Sequence, residues 1–303
     1  MAYVLALLAS GRRKGYTASV LQAAIKGAES VQGVEVELVR LHKYKFGPCT
    51  SCFNCIRNDP HECTLPDDMG EEGALMAKVK RANGWILADP VHYWGPSAQC
   101  HLFFERCYPF LWSGDLEGMP FASICCASNQ GMQRLANANL CKWAFTKGFR
   151  YIGGLPVHMA FIERARVEAE NLGRKLAEAA IIDVRGRQKF PDQERYVDYL
   201  SKPWRVLEPY LENLTNGTMA YESSLIAEGF ASFKRKEAIE LLEKSRKYLE
   251  QTLEFYNNSK EEEACSMLAQ ASAMWTHATW KEFLEEDVIK TSVPDAYRPI
   301  AEE

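Results

Sequence analysis

The sequence predicts an α/β chain: a doubly wound, five-stranded parallel sheet followed by a helical extension. Three observations lead there. Short apolar runs alternate with amphipathic segments up to about residue 180. The first run, Tyr3–Leu8, closes in the polar loop Ser10-Gly-Arg-Arg-Lys-Gly-Tyr-Thr17, which opens directly into a helical pattern. After about Pro203 strand patterns stop, and two long helical periods follow. This divides the chain into a sheet domain, 1–200, and a helical extension, 201–303.

Each element has its own local reason. Thr17 is an expected N-cap for a helix over 18–30, with Val20, Leu21, Ala24, Ile25 and Ala28 on one face. Gly33 closes that helix, and Val34–Leu41 alternates as a second strand. Asp67-Asp68 ahead of Met69–Lys80 reads as the acidic N-terminus of a helix. Trp85–Ala88 is the third strand and Ser97–Tyr108 the next helix. Ala122–Ala127 and Tyr151–Met159 supply the fourth and fifth strands, with a helix over Leu135–Lys147 between them. Glu163–Ala180 is a charged amphipathic helix. In the extension, Phe233–Tyr256 and Glu262–Leu284 flank the polar turn at Asn257, which predicts an antiparallel helix hairpin.

Composition narrows the class. Of 303 residues 47% are hydrophobic and 25% charged, as in ordinary soluble globular proteins. The net charge is −4 and no basic tract occurs, so no nucleic-acid partner is expected. The apolar start lacks a basic flank and reads as a strand, not a signal peptide. No run approaches the length of a membrane helix, so no membrane partner is expected. Ten cysteines without a secretion signal point to a reducing, cytoplasmic setting.

The densest chemistry is Cys49-Thr-Ser-Cys52-Phe-Asn-Cys55 followed by Cys63, a C-x2-C-x2-C-x7-C set. Four thiolates in so short a stretch can face one small object, and an iron–sulfur cube needs four. Zinc, disulfides or scattered buried thiols are the alternatives; zinc sites favour two separated pairs. Cys100, Cys107, Cys125, Cys126, Cys141 and Cys265 read as structural.

Three strand-end loops build the second site. Ser10, Arg12, Lys14, Gly15, Tyr16 and Thr17 place hydroxyls, glycine and positive charge before a helix, which suits a phosphate. The P-loop and dinucleotide patterns are missing, so a phosphomonoester such as that of FMN fits better. Pro90, Val91, Tyr93, Trp94 and Gly95 suit a flat ring, since aromatic faces stack and glycine admits close approach; the alternative is that both aromatics are core. Ser128 and Gly131 offer small polar groups for a ring edge. His61 and His92 read as hydrogen-bonded structural histidines, and no side chain reads as an acid–base catalyst.

Ser10-x-Arg12-x-x-Gly15-x-Thr17, the four-cysteine set, Asp67-Asp68-Met69, Pro90–Gly95 with Ser97-Ala98, and Phe104-Glu-Arg106 together resemble the iron–sulfur flavoproteins of the flavodoxin-like, NAD(P)H-dependent FMN reductase group. Tyr16 stands where those proteins usually carry Asn. The resemblance implies a flavodoxin-like sheet in the order 2-1-3-4-5, bound FMN, and one 4Fe–4S cluster on Cys49, Cys52, Cys55 and Cys63. It also implies a homodimer or homotetramer. The expected activity relays electrons between a one-electron carrier such as ferredoxin and a two-electron small-molecule acceptor. Two alternatives stand beside it: an NAD(P)H-dependent reductase of FMN, quinones or nitro compounds, and an electron-transfer or redox-sensing module that docks a protein through its helical tail.

Overall fold

A computed structural model of the chain describes residues 1–128, 131–189, 191–203, 207–283 and 285. The chain divides into two compact units, one of residues 1–50 and 54–189, the other of 51–53 and 190–303.

The first unit is a parallel sheet with helices on both faces. β1 (Ala2–Leu8) lies between β2 (Val34–Arg40) and β3 (Gly84–His92); β5 (Pro120–Ala127) and β6 (Arg150–His158) follow, in the order β2-β1-β3-β5-β6. The remaining strand, β4, is only Gly95–Pro96 and pairs antiparallel with the end of β3. Counted without it, the five parallel strands take the expected flavodoxin-like order. Every residue of β1 and β5 is buried, which is why their sequences are continuous apolar runs. β2 is an edge strand and alternates: Glu35 and Glu37 turn outward, to Arg81 at 3.4 Å and Lys78 at 2.6 Å.

On one face α1 (Tyr16–Glu29) packs with α7 (Ile162–Arg185). They approach through two glycines. A Cβ on Gly27 would meet the Glu170 carbonyl oxygen at 1.9 Å, and one on Gly173 the Ala24 oxygen at 1.9 Å. On the other face Trp85 and Phe121 of the sheet stack against Phe103 of α4 (Ala98–Arg106) and Phe149, with Trp85–Phe149 centroids 4.9 Å apart. α6 (Gln133–Thr146) packs on β5 and β6. Three short helices, α2 (Asn54–Arg57), α3 (Ala74–Arg81) and α5 (Phe110–Ser113), complete this unit.

Three expectations shift locally. α1 begins one residue before Thr17, with Gly15 as its N-cap and no side-chain cap bond. Thr17 sits buried inside the first turn instead. The expected helix from Met69 starts only at Ala74, because Asp67 and Asp68 are engaged elsewhere and Gly70 and Gly73 hold tight turns. β3 does not stop at Ala88. It runs through Pro90 to His92 and turns back as a hairpin.

The second unit is helical: α8 (Asp192–Leu200), α9 (Leu207–Leu214), α10 (Leu225–Ser232), α11 (Lys236–Asn257) and α12 (Glu261–Thr279). α11 and α12 form a hairpin across Asn258 and Ser259, burying Leu242 and Leu249 on one helix and Leu268 and Ala271 on the other. Ser245 Oγ donates to the Ala271 carbonyl at 2.7 Å, satisfying a polar group in that seam. Leu284, where the sequence pattern ends, lies outside the described residues. Among the described residues no helix is long and apolar enough to cross a membrane.

The two-glycine crossing gives a direct test. Gly173→Ala forces a methyl onto backbone and should destabilise by about 1–3 kcal/mol, the usual cost of overpacking. Exposed Gly33, whose missing Cβ would meet nothing, is the control, apart from the strain of its φ of 85°. Urea midpoints of the two Ala variants check it; an unshifted Gly173→Ala midpoint refutes the crossing.

Candidate functional site

Loop one, between β1 and α1, carries unsatisfied donors. The first turn of α1 has neither a side-chain cap nor an acidic residue, so its backbone N–H groups remain available to an anion. Ser10 is nearly buried and its Oγ accepts the Arg12 N–H at 3.2 Å. Arg12 and Lys14 are exposed, Gly15 is half-buried, and Tyr16 is 49% exposed. Thr17 hydrogen-bonds the Cys126 side chain at the end of β5, and burial pushes the Cys126 thiol up to about 12.

Loop two is a tight hairpin. Val91 pairs with Pro96 and His92 with Gly95, leaving Tyr93 and Trp94 as a two-residue turn with φ of 48° and 67°. Two consecutive positive φ values match the twist of a hairpin but normally call for Asn-Gly. For two aromatic residues they are strained. Tyr93 is fully exposed and Trp94 54% exposed, so neither is a core residue. Pro90 and Val91 sit half-buried at the strand end.

Asp89 holds the base of this hairpin. It is wholly buried and accepts from Ser97 N–H at 2.9 Å and Ser97 Oγ at 2.5 Å. Ser97 in turn caps α4 by accepting the Cys100 N–H at 3.3 Å. Burial raises the Asp89 carboxyl to about 7, although its bonds to Ser97 and Cys100 favour the charged form. In loop three Ser128 is exposed, and its carbonyl accepts the Gly131 N–H at 3.0 Å. Gly131 has φ of 84°, and a Cβ there would stand 2.9 Å from Gln133 Oε1.

The cysteine loop is held by polar contacts. Arg106, the last residue of α4, is 2% exposed. Its guanidinium donates to Asp67 Oδ2 at 2.6 Å and Oδ1 at 2.9 Å, to the Gly47 carbonyl at 2.8 Å, and to Cys63 Sγ at 3.3 Å. Burial works against the Asp67 charge, but the Arg106 bonds and the Met69 N–H hold its carboxyl below the usual value. Asp68 accepts the Lys45 N–H at 2.6 Å. Both acids therefore clip the segment before Cys49 to the segment after Cys63. Inside the loop His61 Nδ1 meets the Cys55 carbonyl at 3.0 Å, as a structural histidine would. Burial lowers the Lys147 ammonium, which the sulfurs of Cys107, Cys49 and Cys55 stabilise in part.

Cys49, Cys55 and Cys63 belong to the first unit, and Cys52 to the short piece grouped with the second. Ser51 and Phe53, on either side of Cys52, have φ of 53° and 57°. Cys100, Cys107, Cys125, Cys126, Cys141 and Cys265 are buried, whereas Cys49, Cys52 and Cys63 are half-buried. Four cysteine sulfurs in one loop, with Cys63 against the Arg106 guanidinium, supply the donor type of an iron–sulfur cluster. Among the described residues, no three His, Cys, Asp or Glu side chains gather closely enough to hold a metal ion. The uncapped α1 turn fits a phosphate.

Two residues that organise this region, Asp89 and Arg106, were not singled out by sequence as its supports. Their signals were present: an acid inside an apolar strand, and an arginine on the helix face carrying Phe103 and Phe104.

Both residues yield tests. Asp89 binds its proton more tightly folded than unfolded, where its value is about 4. It therefore adds stability below pH 4 that is lost as pH rises through about 7. The slope is at most about 1.4 kcal/mol per pH unit. Asp89→Asn should remove this component from urea midpoints measured between pH 4 and 8; identical pH profiles would reject the assignment. Arg106→Met removes the partner of the half-buried Asp67 carboxylate and should cost about 1–3 kcal/mol, with faster proteolysis inside residues 47–67. Adding Asp67→Asn should recover part of the loss, and strict additivity would mean the pair is not coupled.

Comparison with known proteins identifies a family. The sequence model described as NADPH-dependent FMN reductase matches residues 2–157. The chain is 31% identical over 182 residues to an iron–sulfur flavoprotein of Archaeoglobus fulgidus, across 57% of this chain and 78% of that protein. It is 31% identical over 106 residues to an iron–sulfur flavoprotein of Methanocaldococcus jannaschii, across 35% of this chain and about half (52%) of that one. Among solved structures it is similar to a flavone reductase, with a TM-score of 0.46 and 19% identity over 63% of this chain and 66% of the other. The chain belongs to the NADPH-dependent FMN reductase family.

Proposed function

We propose that this flavin-dependent oxidoreductase relays electrons between a one-electron carrier such as ferredoxin and a two-electron small-molecule acceptor. FMN would be held by Ser10, Arg12, Lys14, Gly15, Tyr16 and Thr17 at its phosphate, and by Pro90, Val91, Tyr93, Trp94, Gly95, Ser128 and Gly131 around its ring. Cys49, Cys52, Cys55 and Cys63 would carry a 4Fe–4S cluster. Bound, the pair supplies one-electron exchange at the cluster and one- or two-electron exchange at the flavin.

One observation carries this reading. The helix α4 touches Cys63 at its last residue, Arg106, and is capped at its start by Ser97, which Asp89 ties to the aromatic hairpin. Nine helical residues span about 13 Å, so the sulfur loop and the ring loop are fixed to the two ends of one short rigid element. Tyr93 and Trp94 present ring faces to a flat ligand. Arg106 and Lys147 place positive charge by the sulfurs, which favours a more negative, reduced centre. The chain's own work in this reading is binding and orientation.

The NAD(P)H-dependent reductase is the second reading, favoured by the family match. An assembly of two or four copies and docking of the carrier remain part of the proposal.

The deciding measurement is an anaerobic visible spectrum of the purified protein, with iron, sulfide and FMN quantified. Four iron and four sulfide per FMN are expected, with slow bleaching by NADPH and fast reduction by reduced ferredoxin. Flavin without iron removes the relay, and fast NADPH bleaching transfers the assignment to the reductase reading. A colourless protein rejects both.

A further inference from the structure

We propose that Asp89 is a positioning residue for the flavin ring: through Ser97 its ionised carboxylate holds the aromatic hairpin in the shape that takes the ring, so that ring binding releases the Asp89 proton. This role rests on the reading of Pro90–Gly95 as the ring loop.

The carboxylate ties together the two ends of the hairpin. Asp89 still pairs with Cys125 of β5, and two residues later Val91 already pairs with Pro96 of the returning strand. Ser97, where that strand ends and α4 begins, gives Asp89 both its N–H at 2.9 Å and its hydroxyl at 2.5 Å. The Cys100 side chain donates as well. The Cys100 N–H occupies Ser97 Oγ from the other side, which aims the hydroxyl hydrogen at Asp89. Every neighbour is thus a donor, and only an ionised carboxylate is purely an acceptor. A protonated carboxyl would have to donate to Ser97 Oγ or Cys100 Sγ, and either group would lose the bond it now makes. The clasp matters because the turn does not hold itself. Tyr93 and Trp94 sit at φ of 48° and 67°, values that two aromatic residues adopt only when their surroundings impose them.

The surroundings of Asp89 leave its proton easily moved. It is wholly buried, and among the described residues no cation pairs with it. Burial favours the neutral acid and lifts it to about 7, against the pull of the three donors. The titratable groups facing it are thiols, Cys100 from α4 and Cys125 and Cys126 from β5; burial and the Asp89 charge push all three up, so they stay neutral around pH 7. From loop one come Thr17, bonded to Cys126, and the exposed cations Arg12, Arg13 and Lys14, which offset the charge of the ligand's phosphate. On the hairpin itself His92 is exposed. A ring laid on the hairpin adds no desolvation to a carboxyl already closed to water, so the ring selects the hairpin's shape and with it the charged form. The empty fold and the ring site then prefer opposite states of one group.

Calorimetric titration of the flavin-free full chain with FMN, in buffers of different ionisation enthalpy, reads affinity and proton release together. Between pH 8 and pH 6 the natural protein should lose about tenfold more affinity than Asp89→Asn does, the linkage expected of one group titrating at about 7. Near pH 7 it should also release a fraction of a proton that the variant does not. The FMN phosphate, with a second pKa of about 6, titrates equally in both and cancels. Ser97→Ala keeps the amide bond, loses the hydroxyl and should move the affinity midpoint to higher pH; it carries the test alone should Asp89→Asn fail to fold. Superimposable pH profiles and proton counts in the natural protein and Asp89→Asn overturn the role while leaving the flavin site standing. So does proton uptake on binding, or a midpoint unmoved by Ser97→Ala. Failure of FMN to bind at any pH overturns the flavin reading and this role together.

Discussion

The Arg106 guanidinium reaches four acceptors from a position almost closed to water, and its charge is balanced by Asp67. A loop of this kind has little else to hold it. Between Gly47 and Asp67 only Cys55 and Ile56 are buried apolar residues, so hydrophobic packing cannot fix the path of the chain. A buried ion pair is a poor source of net stability but a strong constraint, because removing either partner leaves the other unsatisfied. The pair selects one arrangement of the cysteine loop on α4. Asp68 reinforces it by gripping Lys45, so the loop leaves and returns through the same narrow neck.

The other end of α4 uses the opposite electrostatic solution. Asp67 has a cation and stays ionised, whereas Asp89 has only hydroxyl, amide and thiol donors and drifts toward neutrality. Both carboxylates serve the same structural purpose, anchoring a functional loop to the helix. The hairpin that Asp89 clasps stores strain in Tyr93 and Trp94, whose φ values other residues would adopt more readily. Aromatics this exposed add little to the core, and the conformation accords with the proposal that their rings face a bound ligand.

Much of this was legible before the structure. Apolar runs mark the buried parallel strands, which need apolar side chains on both faces, and alternation marks the edge strand β2. The i, i+3, i+4 spacing through Leu242, Leu249, Leu268 and Ala271 gave the helix hairpin. What escaped has a common cause. Asp67-Asp68 was read as a helix N-terminus because that role is local, while the real partner, Arg106, is 39 residues away. The Tyr93–Trp94 turn was hidden because its sequence lacks the Asn-Gly signature. Arg40, at the end of β2, and Arg166, in the first turns of α7, are far apart in sequence and line one pocket only in the fold.

The net charge of −4 is equally misleading when read alone. Electrostatic fields depend on where charge sits, and low-dielectric walls focus them. Around loop one Arg12, Arg13, Lys14, Arg40 and Arg166 have a single carboxylate neighbour among them, while Arg106 and Lys147 stand against sulfur. The carboxyl edge of an overall acidic chain is therefore locally cationic. Positive charge around loop one attracts phosphates. At the start of α12, Glu261, Glu262 and Glu263 favour the helix dipole.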